Sequence, residues 1–185
     1  MAIHSHALPP SDDLHRLLRY DKNTGLLFWR ERTPDMFAEG GRSPEQSCAL
    51  WNARYAGAEA FTAICDGYRR GAIFKKHYLA HRIIYGMHSS CPEDAQVDHI
   101  DGDTLNNRMD NLRLASHAEN GWNRRRPSNN VSGVKGVNWH RGKWQANITS
   151  NGVRTYLGVF NCRTAAAIAY AKASIRRHGK FGRIA

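Results

Sequence analysis

The sequence predicts an α+β fold in two parts: a strand–turn–strand–helix unit near the middle, then a small three-stranded sheet packed on one helix. Three observations predict it. Residues 97–100 and 111–114 read as short strands around a long polar turn, and Ser116-His117-Ala118-Glu119 is a capping box that starts a helix. Further on, three strand-like runs with turns at Arg141-Gly142 and Asn151-Gly152 precede an alanine-rich run stopped at Gly179. Charge divides along the same line. Residues 1–107 hold 12 Lys and Arg against 14 Asp and Glu, whereas residues 108–185 hold 15 against 2, a balance of +13.

In chain order, residues 1–12 read as a loose tail, and 13–20 as a short helix with Leu14, Leu17 and Leu18 on one face. A turn at Asn23-Thr24-Gly25 leads into a strand over 26–30. Ser43-Pro44-Glu45-Gln46 starts a helix that runs to about Arg54. Ser43 caps it, Pro44 suits the first helical position and Gln46 reaches back. Asp66-Gly67 between two apolar runs marks a hairpin. Residues 78–88 carry helical spacing and end near Gly86. The predicted organisation is an accessory region over 1–57, a catalytic domain over 58–125, a linker over 126–131 and a basic domain over 132–185.

The central segment can do chemistry on a phosphodiester, which needs an activated water and stabilisation of the charge that gathers on phosphate. His99 can accept the proton, since imidazole titrates near physiological pH. Asp98 and the amide oxygen of Asn120 are hard donors suited to Mg²⁺, or Mn²⁺ in its place. Two protein ligands leave room for waters and a phosphate oxygen, and the ion acts as a Lewis acid. Neighbours on a regular strand point to opposite faces. Asp98 and His99 therefore share a site only where the strand is irregular or ends, as the Asp101-Gly102-Asp103 turn allows. That turn reads as a turn rather than a cation site, because no calcium-loop glutamate follows it. His81 and His88 read as structural or exposed, and Asn106, Asn107 and Asn123 as turn, cap or backbone contacts.

The residues VDHIDGD…NN…NLR…EN..N, with the preceding AHRIIYG, resemble the HNH, or ββα-metal, endonucleases of phage and intron-encoded homing type. The resemblance covers roughly residues 60–125. It implies a ββα-metal nuclease domain in which Asp98 and Asn120 bind one divalent metal, His99 is the general base and Asn111 braces the turn. Some relatives carry C-x-x-C zinc pairs; Cys48, Cys65, Cys91 and Cys162 form none here.

The basic region reads as a nucleic-acid module. Trp144, Ala146 and Ile148 alternate with Gln145, Asn147 and Thr149, so one sheet face covers the helix stripe Ala166, Ala169, Tyr170 and Ala173. The other face carries Gln145, Asn147, Thr149, Arg154 and Tyr156, with Asn138, His140, Arg141 and Lys143 beside them. Such side chains read base edges and hold phosphates. The stretch from Ser132 to about residue 180 resembles the plant ethylene-response-factor (AP-two) DNA-binding domain. That implies a sheet in the major groove of double-stranded DNA.

Two other classes stay open from sequence alone: a DNA-binding regulator with an inactive nuclease fold, and an RNA-binding protein. No signal core, 18-residue apolar run or coiled coil is evident. The expectation is a cytoplasmic monomer, in a bacterium or phage-infected cell, with no membrane partner.

Overall fold

A computed structural model describes residues 7–92 and 95–184 of the chain. The chain forms two compact units, the first running to Leu114 and the second beginning at Ala115.

In the first unit, α1 (Ser11–Leu17) leads directly into β1 (Leu18–Asp21), which pairs antiparallel with β2 (Leu26–Trp29). The helix expected over 13–20 therefore ends at Leu17. Asn23 N bonds Asp21 Oδ1 at 2.9 Å, and the hairpin that this turn closes draws residues 18–21 into strand pairing. The loose-tail expectation lies outside the described residues up to position 6, and from Ser11 the chain is helical. Then α2 (Pro44–Tyr55) begins with the expected capping box, Ser43 with Gln46, and β3 (Glu59–Ala60) joins β2.

The Asp66-Gly67 hairpin joins β4 (Ala63–Cys65) to β5 (Tyr68–Ile73), and β6 (Lys76–Leu79) completes an antiparallel sheet. Helical spacing in the sequence predicts a helix that includes Tyr78 and Leu79. They belong to β6, because Phe74 and Lys75 adopt φ of 49° and 64° and close a tight hairpin without glycine. Helix α3 (Ala80–His88) follows, and its Ile83 and Ile84 pack with Leu14, Leu18 and Leu27, all at or near complete burial. Each such side chain contributes about 1.5–3 kcal/mol. Strand β7 (Gln96–His99) then pairs with β8 (Leu112–Ala115).

In the second unit, α4 (His117–Asn123) starts with the expected Ser116–Glu119 capping box. β9 (Val137–His140), β10 (Lys143–Ser150) and β11 (Val153–Phe160) form an antiparallel sheet in the order β11-β10-β9, packed on α5 (Arg163–His178). The turns fall where expected, with positive φ at Arg141, Gly142, Asn151 and Gly152. Buried positions 166, 170, 174 and 178 give α5 a stripe of period four against the sheet. The fold is thus α+β, with a ββα region and a three-stranded sheet on one helix.

Candidate active site

β7 ends at His99, and the two candidate residues at its end find different partners. His99 is 3% exposed, and its Nε2 lies 2.9 Å from Oδ1 of Asn107. Its ring meets His81 edge-on at 4.9 Å and Tyr68 at 6.0 Å. Burial, then the proximity of His99 and Arg82, pushes His81 down to about 3, so a neutral imidazole abuts His99 at physiological pH. Asp98 is 5% exposed and accepts from Arg113 Nε and Nη2, both bonds falling on Oδ2 at 2.9 and 2.8 Å. These are charge-assisted hydrogen bonds to a buried carboxylate.

The turn between the strands is held by Asn111. Its Nδ2 donates to Asp101 Oδ1 at 2.9 Å and to the Asn106 carbonyl at 2.8 Å, and its Oδ1 accepts from Asp101 N at 3.0 Å. Ile100 N adds a bond to the Asn111 carbonyl at 2.8 Å. Asn111 sits in a 3-10 turn (Met109–Asn111) rather than in the expected strand, because its side chain is committed to the turn. Burial pulls the Asp101 carboxyl upward, but hydrogen bonds from Asn106, the Asp103 amide and Asn111 outweigh it and leave it below the ordinary value. Asn106 and Asn111 thus act within the turn.

Sequence reasoning passed over three residues. Asn107, 1% exposed, was read as a turn residue yet partners His99. His81 lies on the buried face of α3 with Ile84, a spacing that could have flagged it. Arg113 alternates with the apolar residues of β8, a weak signal for an ion-pair partner.

Asn120 lies on α4, in the second unit. Asp98 offers a buried carboxylate beside His99, a hard oxygen donor of the kind a divalent cation takes. Among the described residues no group of three His, Cys, Asp or Glu is placed to hold a metal ion.

The basic sheet brings most of its expected readers to the surface in cross-strand pairs. Lys143 opposes His140, Gln145 opposes Asn138, and Thr149 opposes Arg154. Asn138, His140, Arg141, Lys143, Thr149, Arg154 and Tyr156 are exposed and Gln145 is half-buried. Asn147 departs from the expected open face: it is 8% exposed. The β10–β11 register shifts between Ala146 and Asn147, and Asn147 N bonds the Gly136 carbonyl at 2.8 Å. Gly136, at φ +70°, has no room for a side chain against Asn147 and the Tyr170 ring. That close approach covers Asn147.

A strand–turn–strand–helix carrying a buried Asp-His pair, followed in the chain by a basic three-stranded sheet, is the pattern of a nuclease. The HNH endonuclease family profile matches residues 78–122. Protein 3.8 of Escherichia phage T7 is 39% identical over 85 residues, 43% of this chain and 70% of that protein. An uncharacterised HNH endonuclease of Acanthamoeba polyphaga mimivirus is 37% identical over 75 residues, 40% of this chain and 38% of that protein. No solved structure gives a significant match. The chain belongs to the HNH endonuclease family, whose members typically use one divalent metal. Among the described residues no helix is long and apolar enough to cross a membrane.

Proposed function

We propose that this protein is a metal-dependent endonuclease that hydrolyses one phosphodiester of double-stranded DNA. The observation that carries the reading is the buried Asp98-His99 pair at the end of β7, inside the segment matched by the HNH family. His99 serves as general base. It takes a proton from the attacking water, with a neutral His81 beside it that adds no opposing charge. Asp98 and Asn120 would hold the divalent ion, Mg²⁺ or Mn²⁺, which supplies Lewis-acid stabilisation of phosphate charge when bound. Asn111 holds the turn that follows His99, and Arg113 sets the rotamer of Asp98.

The basic sheet, whose sequence is similar to the AP-two domain, grips the duplex through Asn138, His140, Arg141, Lys143, Gln145, Thr149, Arg154 and Tyr156. After position 114 the chain as a whole carries thirteen Lys and Arg against one acidic residue, Glu119. Asn147 supports the sheet from within.

The Asp98–Arg113 pair favours a second reading, a DNA-binding regulator on an inactive nuclease fold, since a structural ion pair looks the same. Supercoiled plasmid with Mg²⁺ decides between them. Parent protein should cut and His99→Ala should lose about 10²–10⁴-fold in rate with DNA affinity kept. A parent that binds but never cuts establishes the regulator.

A further inference from the structure

The role of the amino-terminal region is legible in its contacts. Its hairpin, β1 and β2, presses on the loop residue that touches His99. Tyr20 Oη accepts from Met109 N at 2.8 Å and donates to the Asn107 carbonyl at 3.3 Å. Arg108 Nε donates to the Asn23 carbonyl at 2.6 Å. At the hairpin tip, Gly25 has φ +74°, and a Cβ there would lie 2.7 Å from the Asn107 carbonyl carbon and 2.8 Å from Arg108 N. Only glycine allows that approach. The Asn107–Met109 backbone is therefore gripped at three points by residues 20–25, about 85 positions earlier in the chain.

What that grip holds is the Asn107 side chain, whose Oδ1 lies 2.9 Å from His99 Nε2. An amide oxygen only accepts, so this contact requires a hydrogen on Nε2. With the hydrogen on Nε2, the nitrogen left to take up a proton is Nδ1, and the partner of one ring nitrogen decides the chemistry of the other.

We propose that Tyr20, Gly25 and Asn107 are positioning residues that set His99 in its Nε2–H tautomer, so that the amino-terminal hairpin is a working part of the nuclease site. The catalytic consequence rests on the endonuclease reading; the tautomer does not. Substitution of Asn107 by leucine keeps the volume and removes the acceptor. Asn107→Asp restores an acceptor, and Tyr20→Phe removes one hydroxyl from the grip.

The test uses the full chain, metal-free, with ¹⁵N-labelled histidine and His99 assigned through His99→Gln. Long-range ¹H–¹⁵N correlation should show the Nε2–H pattern for His99 in the parent and in Asn107→Asp. Asn107→Leu should shift it toward Nδ1–H, and Tyr20→Phe should shift it part way. Arg16→Ala, which breaks only an exposed pair with Asp35, should match the parent. In cleavage, Asn107→Leu should lose about 10–100-fold in kcat with KM little changed. Should Asn107→Leu fail to fold, Tyr20→Phe decides alone. A parental Nδ1–H tautomer overturns the proposal. So does a Tyr20→Phe protein whose His99 spectrum equals that of Arg16→Ala. A parent that does not cleave overturns the endonuclease reading and leaves the spectrum to judge the tautomer.

Discussion

Arg113 Nε and Nη2 both bond one carboxylate oxygen of Asp98, Oδ2, at 2.9 and 2.8 Å, with the two side chains 12% and 6% exposed. Removing one partner of a buried pair costs about 3–5 kcal/mol, because the other keeps its desolvation penalty. Arg113→Ala should therefore lower the unfolding free energy by that order, read by urea denaturation. Arg113→Lys should recover only part of it, since an ammonium lacks the planar fork that reaches one oxygen twice. A lysine variant as stable as the parent would show that charge alone matters at this position.

His81 gives a prediction about pH. Its folded value is about 3 against an ordinary value of 6.5. Between those limits the unfolded chain binds a proton there and the folded chain does not. The stability that neutral His81 supports is present above about pH 6.5 and is lost on acidification at about 1.4 kcal/mol per pH unit. From pH 6.5 to 5.0 the parent should lose about 2 kcal/mol more than His81→Phe, which keeps a ring against Tyr68 and His99. Urea unfolding of both proteins at the two pH values measures it. Equal losses would mean that His81 is protonated in the folded state.

Much of this architecture is legible in local chemistry. Both capping boxes, the Asp66-Gly67 hairpin and the two turns of the basic sheet are encoded within four or five residues, and the fold realises them. What escapes local reading depends on distant partners. Residues 18–21 are strand because they pair with β2, and Phe74-Lys75 makes a hairpin with no turn residue to announce it. Within the site, Asn111 could be read as a brace from its motif. Asn107 could not, because its meaning comes from His99 on one side and from Tyr20 and Gly25 on the other. Asn147 follows strand alternation in sequence, but a register shift and the Gly136 loop bury it. No period-two argument sees either effect.

The second unit begins at Ala115, earlier than the boundary at 132 read from sequence. Lys135 Nζ donates to the carbonyls of Trp122 and Arg124 at 2.7 and 2.9 Å, and Trp122 stacks on His178 at 4.5 Å. A fragment that starts at 132 lacks Trp122 and these bonds, so it should be less stable than a fragment over 115–185 by on the order of 2 kcal/mol. Thermal melts of the two compare them directly. The longer fragment should also bind duplex DNA with a steep salt response. If it contacts six or more phosphates, affinity should fall about 10³-fold between 50 and 200 mM salt. A flat response would remove the basic sheet from the DNA grip.

The last prediction concerns the product. The chain carries one Asp98-His99 pair and one Asn120, and one such set positions one water in line with one leaving oxygen. A monomer should therefore cut a single strand. The resemblance to homing-type HNH nucleases implies a 5′-phosphate and a 3′-hydroxyl at the nick. A second cut needs a second set of these residues, which a second copy of the chain would have to bring. Supercoiled plasmid with one target, incubated with Mg²⁺ across two decades of protein concentration, separates the cases. Nicked circles should form first and persist, and their rate should rise in proportion to protein. End labelling of the nick should show a 5′-phosphate. Linear product that appears directly at the lowest active concentration, with no nicked precursor, would rule out the single-strand mechanism and establish a preformed dimer as the cutting species.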